Sequence, residues 1–125
     1  NIDDYLILAL LPSYIEQGDS SLVYMVEKLI NLSKNKNSRF ISINEIISSY
    51  KDINKHKKVL LIGVSYALLD LAENSKLNLS TWIILETGGM KGRRKELTRN
   101  ILHLKLKKSL SSSIFILFRA LSTNA

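Results

Sequence analysis

Glu86 and Thr87 stand directly before two adjacent glycines, Gly88 and Gly89, and a basic cluster follows at once: Lys91, Arg93, Arg94 and Lys95. A carboxyl, a hydroxyl, a freely rotating backbone and several cations in one short stretch are the materials for holding an anion or a flat heterocycle. Glycine admits positive φ and lets a ligand approach without a Cβ clash, although a strand-to-helix turn needs glycine for geometry alone. The spacing is neither the nucleotide phosphate loop nor the dinucleotide fingerprint, because no Gly-Lys-Ser/Thr and no Gly-x-Gly-x-x-Gly occurs. Cations at a helix N-terminus oppose the helix dipole, so Arg93, Arg94 and Lys95 imply a held anion or else a solvated face. A carboxyl at the end of a buried strand is costly unless used or paired, and Lys91, Arg93 or Arg94 would give Glu86 a salt bridge.

The other reactive residue types offer less. His56 and His103 are the only histidines, and no carboxylate lies at ligand spacing from either, so neither a metal site nor a catalytic triad is expected. There is no cysteine, which excludes a disulfide framework and a thiolate nucleophile or ligand. "GDSSLVYM" places Ser20 and Ser21 at a helix start, where they would cap it or help hold an anion. Lys105, Lys107 and Lys108 fall in a last helical turn, where cations are favourable without any function. Asp70 is expected at an exposed helix position, and Trp82 in the core.

These residues need a scaffold, and the hydrophobic pattern supplies one. "YLILALL" (Tyr5 to Leu11) and "VLLIGV" (Val59 to Val64) are continuous apolar runs, which predict strands buried on both faces, as in a parallel sheet. "TWIILET" (Thr81 to Thr87) predicts a third strand. Helices are predicted from Ser21 to Ser33, over "ISINEIISSYKDI" with Asn44 a candidate cap, from Ser65 to Glu73 with Ser65 a candidate cap, and from Arg94 to Lys108 with Leu97, Ile101 and Leu104 facing inward. "KNKNS" (Lys34 to Ser38) reads as a polar loop. The order implies an α/β fold with a mostly parallel sheet and flanking helices. Right-handed crossovers would gather the loops at Pro12 to Ser20, Gly63 to Tyr66 and Thr87 to Arg94 on one edge, where open parallel sheets bind ligands. The tail "SLSSSIFILFRALSTNA" ends in a strand-like run for which the sequence shows no partner.

Composition sets the outer limits. The chain has 125 residues, 46% apolar and 23% charged, which is enough for one domain with a core and ordinary for a globular chain. The net charge of +7 is concentrated in residues 91 to 108, where Lys91, Arg93, Arg94, Lys95, Arg99, Lys105, Lys107 and Lys108 face one acid, Glu96. Such a local field invites a phosphate, a nucleotide or nucleic acid. No apolar run is long enough to span a bilayer, and the acidic start lacks the pattern of a signal peptide, so a cytoplasmic protein is expected.

"ETGGMKGRRKELTR" closely resembles a motif of the acyl-protein synthetases (LuxE type) within the adenylate-forming superfamily. "LLPSYIEQGDSSLVYMVEKLI" and "KKVLLIGVSYALLDLAE" resemble the preceding segments of that family in the same order, so the resemblance spans about residues 5 to 108. It implies the inner part of an adenylate-forming N-terminal domain. The implied activity joins a long-chain fatty or other carboxylic acid to AMP, using ATP and Mg²⁺, and then moves the acyl group to a thiol and on to a reductase or carrier partner. By position it assigns Thr87, Gly88 and Gly89 to adenine, and Lys91 and Arg93 to the acyl-adenylate or phosphates. The family's Ser/Thr/Gly-rich phosphate loop would lie upstream of residue 1, its Tyr-Gly-x-Thr-Glu motif is missing, and so is its acyl-accepting cysteine. Residues 1 to 108 therefore read as a fragment of such an enzyme, with most ATP and Mg²⁺ contacts outside it and no ligase activity of its own. Residues 109 to 125 read as a non-matching tail from a truncated or frame-shifted gene. The competing reading is a small basic α/β module that binds RNA or an acidic protein through residues 91 to 108. The basic stretch has no aromatic ring except His103, which weakens the case for nucleic acid.

Overall fold

A computed structural model describes residues 2–12, 21–87, 104 and 114–118 of the chain. Five parallel strands form one sheet in the order β2-β1-β3-β4-β5, with β1 at Leu6–Leu10, β2 at Arg39–Phe40, β3 at Val59–Val64, β4 at Ile83–Thr87 and β5 at Ile114–Phe118. Among the described residues, three helices lie between the first four strands: α1 at Ser21–Leu32, α2 at Ile43–Ile53 and α3 at Ser65–Glu73. The fold is therefore α/β with a parallel sheet, as the apolar runs predict. No helix among the described residues is long and apolar enough to cross a membrane.

The continuous runs behave as strands covered on both faces. Every residue of β1 and β3 is buried, and the two pair from Leu6↔Val59 to Leu10↔Gly63. In contrast, β4 alternates, with Ile84 fully buried and Ile83 and Leu85 only partly so. From α1, Leu22 and Val26 enter the core, and Val23, Leu29 and Ile30 pack at its margin. Right-handed crossovers put α1 on one face of the sheet and α2 with α3 on the other, and α2 does pack against α3.

Four expectations change. First, β2 lies where the sequence shows only a polar loop running into a helix. It has two residues, so no apolar period announces it, and only its pairs Leu8↔Arg39 and Ala9↔Phe40 with β1 define it. Side chains extend this short edge. The Ser38 hydroxyl accepts from the Ile7 amide at 2.9 Å, and Ser33 Oγ donates to the Tyr5 carbonyl at 2.7 Å. Second, α2 is capped by Ser42 rather than Asn44. Ser42 is extended, at φ −97° and ψ 164°, and its hydroxyl accepts from the Glu45 amide at 3.1 Å. Third, the apolar run of the tail has a partner, because β5 pairs in parallel with β4 from Ile83↔Ile114 to Thr87↔Phe118. Fourth, Leu104 is 69% exposed. Its spacing from Ile101 is helical, yet spacing alone does not fix which face a helix buries.

Trp82 is fully buried, as expected, and is tied down by polar contacts. Its indole N–H donates to Asn54 Oδ1 at 2.9 Å, its ring lies 6.2 Å from that of Tyr50, and Tyr50 Oη donates to the Asn78 carbonyl at 2.6 Å. Together these contacts fix the approach to β4.

Candidate functional site

Because all strands run the same way, Leu10, Phe40, Val64 and Thr87 finish on one edge. The sheet order changes direction between β1 and β3, since β1 leads outward to β2 whereas β3 leads to β4. Ligands of open parallel sheets bind outside the carboxyl ends of the strands near such a reversal.

The end of β4 is polar and closed to solvent. Glu86 has no exposed surface, Thr87 is 1% exposed and Ser65 is 2% exposed. Glu86 lies opposite Gly63, and Thr87 opposite Val64. This register sets Ser65, the first residue of α3, beside the Glu86 side chain, and Ser65 Oγ donates a hydrogen bond to Glu86 Oε2. Ser65 is thus not the cap that its position suggests. Val64 occupies the cap position with no side-chain bond, because the serine hydroxyl is turned to the carboxyl of the neighbouring strand. The basic residues expected to pair with Glu86, Lys91, Arg93 and Arg94, lie outside the described residues. The bond clips the start of α3 to the end of β4 and makes that corner of the edge rigid.

Gly63 makes the corner possible. A Cβ at this position would sit 2.8 Å from Cδ2 and 2.9 Å from Cγ of Leu68, a fully buried residue one turn into α3. Only glycine lets the first turn of the helix lie this close to the strand.

Thr87 is where the sequence places it: the last residue of β4, on the ligand edge. Its Oγ1 is buried and has no hydrogen-bond partner, and an orphaned buried hydroxyl is uncommon enough to need a reason. Gly88, Gly89, Lys91 and Arg93 lie outside the described residues, as does most of the helix predicted from Arg94 to Lys108. Among the described residues, no group of three or more His, Cys, Asp and Glu converges to hold a metal ion. His56 instead shares a hydrogen bond with Asn35, at 3.1 Å between its Nδ1 and the amide nitrogen.

A second feature of the edge has no counterpart in the sequence reading. An open cleft of about 610 Å³ lies over the end of β1 and is walled by the start of α2, by Asp70 of α3 and by Asn74, which caps the end of α3. Asp70 is half-buried rather than exposed, because the packing of α3 on α2 brings it to this cleft. The one available signal was Ile47, which extends the apolar face of α2 beyond what the core needs and is 38% exposed.

No family model matches the chain, and no curated protein or solved structure matches it.

Proposed function

We propose that the chain carries part of the nucleotide-binding edge of an acyl-adenylate-forming ligase of the acyl-protein synthetase type. The observation that carries the reading is Thr87: a buried hydroxyl without a partner, ending a strand on the ligand edge, immediately before Gly88 and Gly89. An adenine ring offers donors and acceptors at its rim, and a glycine backbone lets the ring lie against the chain.

In this reading ATP supplies the adenylyl group that activates the carboxylate of a fatty or other carboxylic acid, with Mg²⁺ on the phosphates. The chain binds and orients. Thr87 gives its hydroxyl to the adenine, and Gly88 and Gly89 give their backbone. The bond from Ser65 to Glu86 holds β4 in place while the ligand binds. Lys91 and Arg93 meet the phosphates or the adenylate. The phosphate loop and the acyl-accepting thiol belong to other segments, so the chain alone binds without turning over. ATP–pyrophosphate exchange by this chain would contradict that point.

The test is a titration with ATP and with a non-hydrolysable acyl-adenylate analogue. The expected result is saturable binding with modest salt dependence that Gly89→Val removes. An unchanged affinity in Gly89→Val would overturn the adenine assignment. The concentration of positive charge in residues 91 to 108 supports a second reading, a module for RNA or an acidic protein. RNA affinity that falls steeply with salt and survives Gly89→Val would favour it.

A further inference from the structure

Another cleft, of about 340 Å³, lies at the opposite end of the strands from Thr87. Leu6 opens β1, Arg39 opens β2 and His56 stands just before β3, so this cleft belongs to the amino ends of the parallel strands. Its polar lining is rich in donors. His56 shows this best, because a chain of hydrogen bonds fixes its tautomer. The Asn37 backbone N–H can only donate, and it donates to Asn35 Oδ1 at 2.9 Å. That leaves Asn35 Nδ2 facing His56 Nδ1, at 3.1 Å. An amide nitrogen also only donates, so Nδ1 accepts and the ring proton sits on Nε2. What His56 brings to the cleft is therefore a donor. Lys36 adds an ammonium group, Asn37 a side-chain amide and Ser49 a hydroxyl.

The acids nearby already have cations. Within residues 34 to 58 the acids are Glu45 and Asp52. Glu45 Oε2 accepts from Arg39 Nε at 2.9 Å, and Asp52 Oδ1, in the lining, lies 3.5 Å from Lys55 Nζ. Asp3 lies 3.6 Å from Lys34. Among the described residues no acid pairs with Lys36, which is thus the unbalanced charge of the lining. A cation here would meet Lys36, whereas an anion would be attracted to it. The donors also come from three places: the loop before β2, the helix α2 and the loop before β3. Donors approaching from several sides suit the oxygens of a tetrahedral phosphate better than the flat fork of a carboxylate. The volume lies at the low end of the range of roughly 300–1,000 Å³ usual for small-molecule sites, so the ligand is small.

We propose that this cleft binds a phosphate group, free or as a small monoester, with Lys36 supplying the charge and His56 Nε2, Asn37 and Ser49 the hydrogen bonds. The site does not rest on the adenylate reading. The length of a strand, about 17–20 Å, separates it from the edge that ends in Thr87.

The experiment is a titration of the 125-residue chain with inorganic phosphate, glycerol 3-phosphate and acetate, followed by ¹⁵N–¹H correlation spectra. Phosphate should shift the amides of Asn37, Arg39, Ser49 and His56 and bind about tenfold more tightly than acetate. Tighter binding of glycerol 3-phosphate assigns the site to an ester, and equal binding assigns it to phosphate itself. Lys36 is exposed, so Lys36→Gln keeps the fold and should weaken phosphate binding about tenfold. Lys51→Gln removes a charge from α2 but none from the lining, and should leave binding unchanged. Gly89→Val should leave it unchanged too, which separates this site from the adenine edge. Long-range ¹⁵N spectra should place the His56 ring proton on Nε2. The proposal is overturned if acetate binds as well as phosphate, if Lys36→Gln has no effect or Lys51→Gln an equal one, if the ring proton sits on Nδ1, or if the shifts fall only in residues 91 to 108.

Discussion

Replacing Gly63 by alanine tests whether the corner between β3 and α3 is as tight as it is drawn. Two effects oppose each other. Alanine should relieve the cost of glycine in a strand, about 0.5–1 kcal/mol. The added Cβ would stand 2.8 and 2.9 Å from Leu68 Cδ2 and Cγ, closer than carbon atoms tolerate. Leu68 has no exposed surface and cannot swing into solvent. Overpacking of this kind costs about 1–3 kcal/mol, so the clash wins and Gly63→Ala should destabilise by about 1–2 kcal/mol. Trp82 is the only tryptophan and is buried, so its fluorescence reports urea unfolding directly. With a slope of about 1–3 kcal/mol per molar urea, the midpoint should fall by roughly 0.5–1 M. Leu68→Ala alone should cost about 2–5 kcal/mol by opening a cavity. In that background the clash is gone and the backbone gain remains, so adding Gly63→Ala should be neutral or stabilising. An equal loss in both backgrounds would refute the reasoning, because the damage would then come from the backbone and not from Leu68.

Two further perturbations probe the end of β4. Ser65→Ala should destabilise by about 1–2 kcal/mol, since the loss at a buried acceptor outweighs a few tenths gained in helix propensity. A urea midpoint equal to that of the parent would mean that the bond to Glu86 contributes nothing. Thr87→Val should leave stability unchanged or raise it by up to about 1 kcal/mol, because the buried hydroxyl has no partner to lose, while weakening ATP binding. A clear loss of stability would show that the hydroxyl is already satisfied in the free chain.

Much of the scaffold was legible for simple reasons. Runs such as Val59 to Val64 have no polar residue on either face, and only a strand covered on both sides tolerates that. The helix from Ser65 to Glu73 can be read directly from "SYALLDLAE" and has those bounds in the structure. What escaped the sequence was decided by partners far along the chain. Arg39 and Phe40 form a strand only because β1 lies beside them, and Ile114–Phe118 is held by β4. Ser42 and Asn44 are equally good caps on paper, and the extended backbone at Ser42 chooses between them. Thr87 could be placed from sequence, but the unpaired state of its hydroxyl could not. The same holds for Ser65, whose hydroxyl serves a carboxyl on another strand, and for Asp70, whose neighbours come from α2.

The pairing of β1 has a consequence for how the chain is made. Leu6 finds its partner on β3 only at Val59, and no two neighbouring strands of the sheet form a local hairpin. During synthesis the run from Tyr5 to Leu11 therefore leaves the ribosome well before β3 exists to cover it. Sheets assembled from such distant pairings form slowly, and an uncovered apolar strand is a target for aggregation meanwhile. The order of the strands thus leaves the first apolar run waiting for the longest stretch of chain before it is covered on both sides. Its yield in cells should depend more on the wait for β3 than on the stability of the finished sheet.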